Sequence, residues 1–476
     1  MATPLSALDA SFLSFESSDS PAHIASVQVL ALPEGQTPDT FLASLRETIY
    51  ARRFEVPYLT RTLDSAGTGW NPTPHIDINH HVTAHEVAFP GDAQALDNTI
   101  ARLHEEPMSR GKPLWQIVVI TGLTGGRVAL YNKVHHACVD GMAGQIAIER
   151  LSDETPAIRP AAATSGEAAG GSGAMLDLAD QASRWMADQI TFAHNMPLAA
   201  NAAMRAWQLL MHPDTAMTHA AQAAPQTRLN QLVSRERRFA SCELPLTDLK
   251  AVAKMHKVSL NEVVLSVCGG ALRRYLERTG DLPKETLQTA VPVSIRNRRR
   301  ASFDNQVSSM RVALGTHLEH PVMRLQFVRH ASVHAKKLAA ALAPMNTPLS
   351  ATSTIGVQRL MGRNASALAA AGVNAPQPVN VLISNVPGPR QTRYFAGAEM
   401  LTHYPVSVPS HGLGVNITVQ SYRDMLYVGI TACRHTLPDA SVLRDDLVED
   451  WQNLHEITTP VVEWMNPIEL KDRAAA

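Results

Sequence analysis

The sequence predicts an α+β protein of two domains, and three observations carry that prediction. A chain of 476 residues is longer than a single hydrophobic core fills, so length favours two large units. Strand-like alternation and helical spacing both occur in each half. Between the halves the composition breaks: residues 155–174, TPAIRPAAATSGEAAGGSGA, are rich in Pro, Gly, Ala and Ser and carry no apolar stripe, as a flexible linker does. The expected layout is a first domain over 1–154, this linker over 155–174, a helical connector over 175–225 and a second domain over 226–476.

In the first half, HIASVQVL (23–30) alternates apolar Ala25, Val27 and Val29 with polar Ser26 and Gln28, a half-buried strand. Phe41, Leu42, Leu45, Ile49 and Tyr50 recur at helical spacing between Asp39 and Arg52. His80, His81 and His85 fall in HIDINHHVTAHEVAFP, read as a strand; positions four apart on a strand lie about 13 Å apart. That is too far to share an ion, so no metal site is expected there. A helix over 94–108, closed by Pro107, precedes a strand in PLWQIVVI (113–120). GRVALYNKVHH (126–136) is the next strand, and GMAGQIAIERLSD (141–153) the helix after it.

The connector from Met175 has apolar Leu176, Leu178, Trp185, Met186, Ile190 and Phe192, suited to meeting lipid or another subunit or, more plainly, to packing across the two domains. The second half opens with strand RRFASCELP (237–245) and a helix expected to be capped by Thr247. SLNEVVLSVCGGALRRYLERTG (259–280) is the clearest helix: Ser259 and Glu262 have capping-box spacing, Val263, Val264 and Val267 begin a buried face, and Gly280 ends it. Strand QTAVPVSIR, a helix over 322–342, and strands VNVLISNVPGP and LGVNITVQSY complete the layout, with neither a Rossmann fingerprint nor a P-loop.

Composition narrows the function. With 42 Lys and Arg against 43 Asp and Glu, the formal charge of −1 gives no reason to expect a nucleic-acid partner. Cys138, Cys242, Cys268 and Cys433 lie far apart without zinc spacing and read as reduced, buried thiols. The N-terminus has no basic region and carries Asp9 and Glu16, and no run approaches eighteen uncharged apolar residues. Neither export nor a spanning helix is expected, while peripheral attachment stays open.

The strongest chemical signal is YNKVHHACVDGMAG (131–144). It sits on a strand-to-helix turn, where Gly141 is expected to adopt a backbone conformation closed to larger residues. His136, just before the turn, can accept a proton from an alcohol or thiol near neutral pH. Asp140 either orients His136 or pins the turn by bonding backbone amides or an arginine from elsewhere; the second reading is favoured because the backbone is close at hand. There is no GxSxG elbow, and Cys138 has apolar neighbours, so direct attack by a substrate hydroxyl is favoured over an acyl-enzyme. A well-packed strand end without catalysis is the alternative for the motif.

This HHxxxDG pattern, here His135, His136, Asp140 and Gly141, resembles the active-site motif of acyltransferases of the chloramphenicol-acetyltransferase-like fold. LDASFL (8–13), PLW (113–115), SLNEVVLSVCGGALRRYL (259–276), VPVSIR (291–296), ISNVPGP (383–389) and GLGVNITVQSY (412–422) resemble the bacterial wax ester synthase/diacylglycerol acyltransferase family along most of the chain. The resemblance implies two chloramphenicol-acetyltransferase-like α/β sandwich domains facing each other across a substrate channel. It also implies a long-chain acyl-CoA donor, a fatty alcohol or diacylglycerol acceptor, no tightly bound cofactor, and work in the cytoplasm at the inner membrane face or a lipid inclusion.

By the same resemblance His136 is the base, with His135, Asp140 and Asn261 as further catalytic candidates. The family's Asn-Asp pair stands here as Asn261-Glu262, and Glu262 reads mainly as a first-turn acid and cap. Pro113, Leu114, Trp115, Ser384 and Asn385 are candidate channel or structural residues, and Arg296 is a candidate ion-pair partner for Asp140. The basic run of Arg296 and Arg298 to Arg300 suits CoA phosphates, anionic headgroups or a solvated loop equally. Two other functions remain: a related acyltransferase with another hydroxyl or amine acceptor, and a noncatalytic lipid-binding protein.

Overall fold

A computed structural model describes residues 2–162, 224–294, 307–342 and 378–458. The first half builds α1 (Ala7–Phe15), β1 (His23–Ala31), α2 (Pro38–Arg52), β2 (Val82–Glu86), α3 (Ala93–Glu105), β3 (Trp115–Thr121), β4 (Val128–His135) and α4 (Gly141–Leu151). The second builds β5 (Arg237–Pro245), α5 (Leu246–Met255), α6 (Leu260–Arg278), β6 (Gln288–Ser294), β7 (Val307–Ala313), α7 (Pro321–Leu342) and β8 (Val381–Val386). It closes with β9 (Tyr394–Phe395), β10 (Ala398–Met400), β11 (Tyr404–Val406), β12 (Val415–Tyr422), β13 (Met425–Cys433) and α8 (Ala440–Thr458).

These elements form two mixed sheets in a two-domain α/β sandwich. The first runs β9-β10-β1-β4-β3-β2, with β11 also on β1, and the second runs β7-β6-β8-β12-β13-β5. In β4, Val128 and Leu130 join the core that contains Phe41 and Leu45 of α2 and Ile148 of α4, whereas Ala129 and Tyr131 pack with Leu96 and Ile100 of α3. The strand's period of two thus decides which side chains reach which layer. In the second sheet, Ile383, Ile417, Val419 and Val428 join the core made with α5 to α8. The alternate residues of β8 and β12 turn towards the first domain.

The two halves are more interlocked than the expected division at residue 226. Tyr404 and Val406 pair with Val27 and Ala25, and Glu399 and Met400 pair with Ala31 and Leu30, so a segment from the second half completes the first sheet. This covers backbone groups that β1 would otherwise expose along an edge. The strands concerned are only two or three residues long, too short to show a period. A second tie runs through α3, where Asp97 accepts the Ser241 amide at 3.1 Å and its hydroxyl at 2.8 Å.

Three local expectations need correction. The helix after β5 starts at Leu246 with Pro245 in the cap position and no side-chain cap bond, so Thr247 lies inside it. His80 and His81 end a short helical turn, Ile78–His81, because Asp77 caps it, and the strand starts only at Val82. Gly141 is a helical residue without a left-handed backbone. By contrast, α6 carries the full capping box, with the Ser259 amide bonded to Glu262 at 2.7 Å and the Glu262 amide to Ser259 at 3.3 Å. Residues 163–223, where nearly all of the expected helical connector falls, lie outside the described residues, as do Arg296 and Arg298 to Arg300. Among the described residues no helix is long and apolar enough to cross a membrane.

Candidate active site

The two histidines are held by the strands on either side of β4. The His135 amide donates to the Leu114 carbonyl at 3.0 Å, and the His136 amide to the Ala22 carbonyl at 2.8 Å. The chain then turns, with Cys138 N–H bonded to the His135 carbonyl and Ala137 N–H to His135 Nδ1 at 3.0 Å. His135 is buried, and its Nε2 lies 3.4 Å from Glu16 Oε1. With Nδ1 accepting the Ala137 amide, the ring's proton sits on Nε2 and faces the Glu16 carboxylate outside the geometry of a good hydrogen bond. Glu16 also accepts from Arg110 at 2.7 Å and from the Ala22 amide at 3.2 Å. Burial alone would raise the Glu16 carboxyl, but His135, Arg110 and the Ala22 amide outweigh it and hold it down to about 2.

His136, half-buried, turns the other way and lines a cavity. Its Nδ1 is buried, and its ring lies flat on Phe12 of α1, with centroids 4.0 Å apart and planes 6° from parallel. Asp140 caps α4 by accepting the Ala143 amide at 2.8 Å, the turn-pinning role of its two readings. A side chain at Gly141 would place its Cβ 3.0 Å from Val386 Cγ2, so close approach of β8 accounts for the glycine. Burial pushes the Cys138 thiol up to about 12, which leaves it inert as a nucleophile.

The cavity, of about 150 Å³, lies between α4, the end of the first sheet and the inner face of the second. Leu45, Trp115, Ile117, Val134 and Ile148 give it an apolar wall, and Ser384, Val386, Thr418 and Gln420 close it from the second sheet. Gln420 donates to Gln145 of α4 at 3.0 Å and fixes the spacing of the walls. Each residue of the PLW segment has a place: Pro113 is buried, Leu114 holds the His135 amide, and Trp115 lines the cavity while donating to the Leu59 carbonyl at 3.2 Å. Trp115 also stacks on His81, whose Nδ1 bonds the Trp115 carbonyl at 2.8 Å, so that histidine is a packing residue. A larger depression of about 640 Å³ lies beside Glu149, Arg159 and Arg393, but Arg159 and Arg393 are already paired with Glu55 and Glu154.

The other expected site residues divide between two places. Ser384 lines the cavity, whereas Asn385 donates to Asn261 at 3.4 Å, and neither asparagine is among the lining residues. Asn385 follows the alternation of core residue Ile383, which puts this pair on the helix side of the second sheet. Glu262 adds a 3.2 Å contact with Lys336 to its capping bonds. Sequence reasoning missed the parts played by Phe12, Glu16, Gln145, Gln420 and His403. His403 lines the cavity, and burial depresses its imidazole to about 3. The segments LDASFL and GLGVNITVQSY, which contain Phe12 and Gln420, carried the only signal, and it did not say what those two side chains do. Among the described residues no group of three or more His, Cys, Asp or Glu stands together as a metal site.

Comparison with known proteins agrees with this geometry. The family described as wax ester synthase/diacylglycerol acyltransferase catalytic domain matches residues 5–264, and its C-terminal domain matches 303–455. The chain is 34% identical to a Mycobacterium bovis protein named as a candidate diacylglycerol O-acyltransferase, over 95% of this chain and 91% of that one. It is 32% identical to the O-acyltransferase WSD of Acinetobacter baylyi, over 94% and 96%. Among solved structures, the wax ester synthase/diacylglycerol acyltransferase of Marinobacter aquaeolei aligns with a TM-score of 0.69 at 27% identity, over 96% of this chain and 99% of that one. A starter condensation domain of rhizomide synthetase aligns at 0.56 and 16% identity, a likeness of fold alone. The chain therefore belongs to the wax ester synthase/diacylglycerol acyltransferase family.

Proposed function

We propose that the protein transfers a long-chain acyl group from acyl-CoA to the hydroxyl of a fatty alcohol or a diacylglycerol, with His136 as general base. The observation that carries this reading is the placement of His136 in a mainly apolar cavity walled by both domains. Nε2 takes the hydroxyl proton as the oxygen attacks the thioester carbonyl, and the imidazolium returns that proton to the departing CoA thiolate. No covalent acyl-enzyme is needed.

The first turn of α4 borders the same cavity through Gly141 and Gly144. The positive end of its dipole favours negative charge developing on the carbonyl oxygen. Asp140 serves by capping that turn, and His135 by anchoring the strand end through Glu16. In this reading Asn261 is structural, because its partner is Asn385 on the helix side of the sheet. The protein works in the cytoplasm, attached peripherally to a membrane or lipid inclusion.

The test offers the purified protein one long-chain acyl-CoA with parallel panels of fatty alcohols and diacylglycerols, and measures ester and free CoA. Ester from either panel with matching CoA release is expected. Acyl-chain binding without product, or product only with an unrelated acceptor, would reject the reading.

A further inference from the structure

Phe12 has no reacting group, yet its ring lies flat against that of the proposed base. Its centroid is 4.0 Å from that of His136, with the planes 6° from parallel. A face-to-face stack leaves the imidazole free to turn only in its own plane. We propose that Phe12 is a positioning residue for the acyl transfer, fixing the plane of the His136 ring and favouring the imidazolium formed when the acceptor's proton is taken. This inference rests on the assignment of His136 as general base.

The chemistry follows from the charge distribution of an aromatic ring. The π face is negative, so it attracts a cation beyond the dispersion it offers a neutral ring. Neutral His136 gains only dispersion, whereas protonated His136 gains both. In the transfer step the acceptor O–H bond breaks and its proton goes to the imidazole while the new O–C bond forms. The C–S bond then breaks, and the sulfur takes the proton back. The imidazolium exists only between these events, so an interaction that prefers it lowers the barrier without tightening substrate binding.

The helix that carries Phe12 is tied at both ends. Ser6 accepts the Asp9 amide at 3.0 Å, and Arg110 donates to the Leu13 carbonyl at 2.8 Å. Glu16 ties the same segment to Ala22, whose carbonyl holds the His136 amide at 2.8 Å. The stack is therefore built from two sides of one short segment, one gripping the ring and the other the backbone.

Several ionisable groups stand on the elements around His136. They are Asp9 on α1 and Glu16 just after it, His23 on β1, and Lys133 and His135 on β4. Asp140 stands before α4, and Arg61 donates to the Cys138 carbonyl at 3.3 Å. Tyr58 and His403 also line the cavity, and the second sheet supplies Ser384, Thr418 and Gln420, none of which titrates. Phe12→Leu leaves all of these in place and removes only the π face, so a change in the titration of His136 reads the ring directly.

The experiment compares wild type, Phe12→Leu and Phe12→Tyr. It measures kcat and KM from pH 5 to 9 with long-chain acyl-CoA and a fatty alcohol, and thermal unfolding to confirm folding. In parallel, mass spectrometry follows diethyl pyrocarbonate modification of the His136 peptide against pH. For Phe12→Leu, kcat is expected to fall roughly two- to fivefold with KM within about twofold. The acidic limb and the modification midpoint should both move down by about half a pH unit, and Phe12→Tyr should restore both.

A fall in kcat with the limb and midpoint unmoved, or a Tyr variant behaving like Leu, would overturn the inference. Should wild type make no ester at all, the acyltransferase reading fails on its own account. The modification midpoint then still decides whether Phe12 controls the His136 ring.

Discussion

Replacing Glu16 by Gln keeps the side chain's size and removes its charge, and the structure fixes how the consequence depends on pH. The folded carboxyl sits at about 2 against an ordinary value of 4.5, because His135, Arg110 and the Ala22 amide overcome the opposing effect of burial. At 1.36 kcal/mol per pH unit that difference corresponds to about 3 kcal/mol of folding free energy. Arg110 is half exposed, and solvent screening trims its share, so about 2 to 3 kcal/mol is the expected total. A depressed carboxylate stabilises fully above its unfolded value and loses that contribution as pH falls towards the folded one. Wild type should therefore lose about 2 kcal/mol between pH 6 and 3 that E16Q, with nothing to titrate, does not lose. Urea unfolding followed by tryptophan fluorescence suits the measurement, since Trp70 and Trp115 are both buried in the first domain. A wild-type advantage that stays constant from pH 6 to pH 3 would refute the charge argument. E16Q should also lower kcat, because Glu16 steadies the Ala22 peptide that holds the His136 amide.

Asp97 reports the opposite sign: burial raises its carboxyl to about 7, so its contribution is present at low pH and is lost as pH rises from about 4 through 7. In unfolding titrations D97N should abolish that decline, which amounts to at most about 4 kcal/mol, and an unchanged pH profile would contradict the buried interdomain contact. N261A should leave kcat within about twofold of wild type, whereas E262A, which breaks a capping box, should lower stability by about 1 kcal/mol in denaturant titration. A hundredfold loss of kcat in N261A would instead return Asn261 to the reacting centre. Cys138 should resist maleimide at pH 8 in the folded protein and react in urea, as peptide mapping would show, because burial holds its thiol near 12.

Much of the fold was legible because its main elements carry clean periodicities. Strand β4 and helix α6 appear within a residue or two of where alternation and capping chemistry place them. The motif at 135–141 was legible for the same reason, since strand parity alone sends His136 and His135 to opposite faces. What stayed hidden depends on contacts distant in sequence. Phe12 meets His136 across the gap between α1 and β4, and Gln145 meets Gln420 across the two domains. The three short strands at 394–406 carry too few residues for a pattern, although they complete the first sheet. Gly141 was recognised as special for the wrong physical cause: the need is space beside Val386, and no unusual backbone angle is involved.

The most direct test replaces His136 by Ala and measures acyl-CoA binding beside ester formation. The account predicts a fall in kcat of roughly 10²- to 10⁴-fold with acyl-CoA affinity retained, the loss expected when a positioned base is removed and the cavity is kept. Turnover at the wild-type rate in that variant would contradict it.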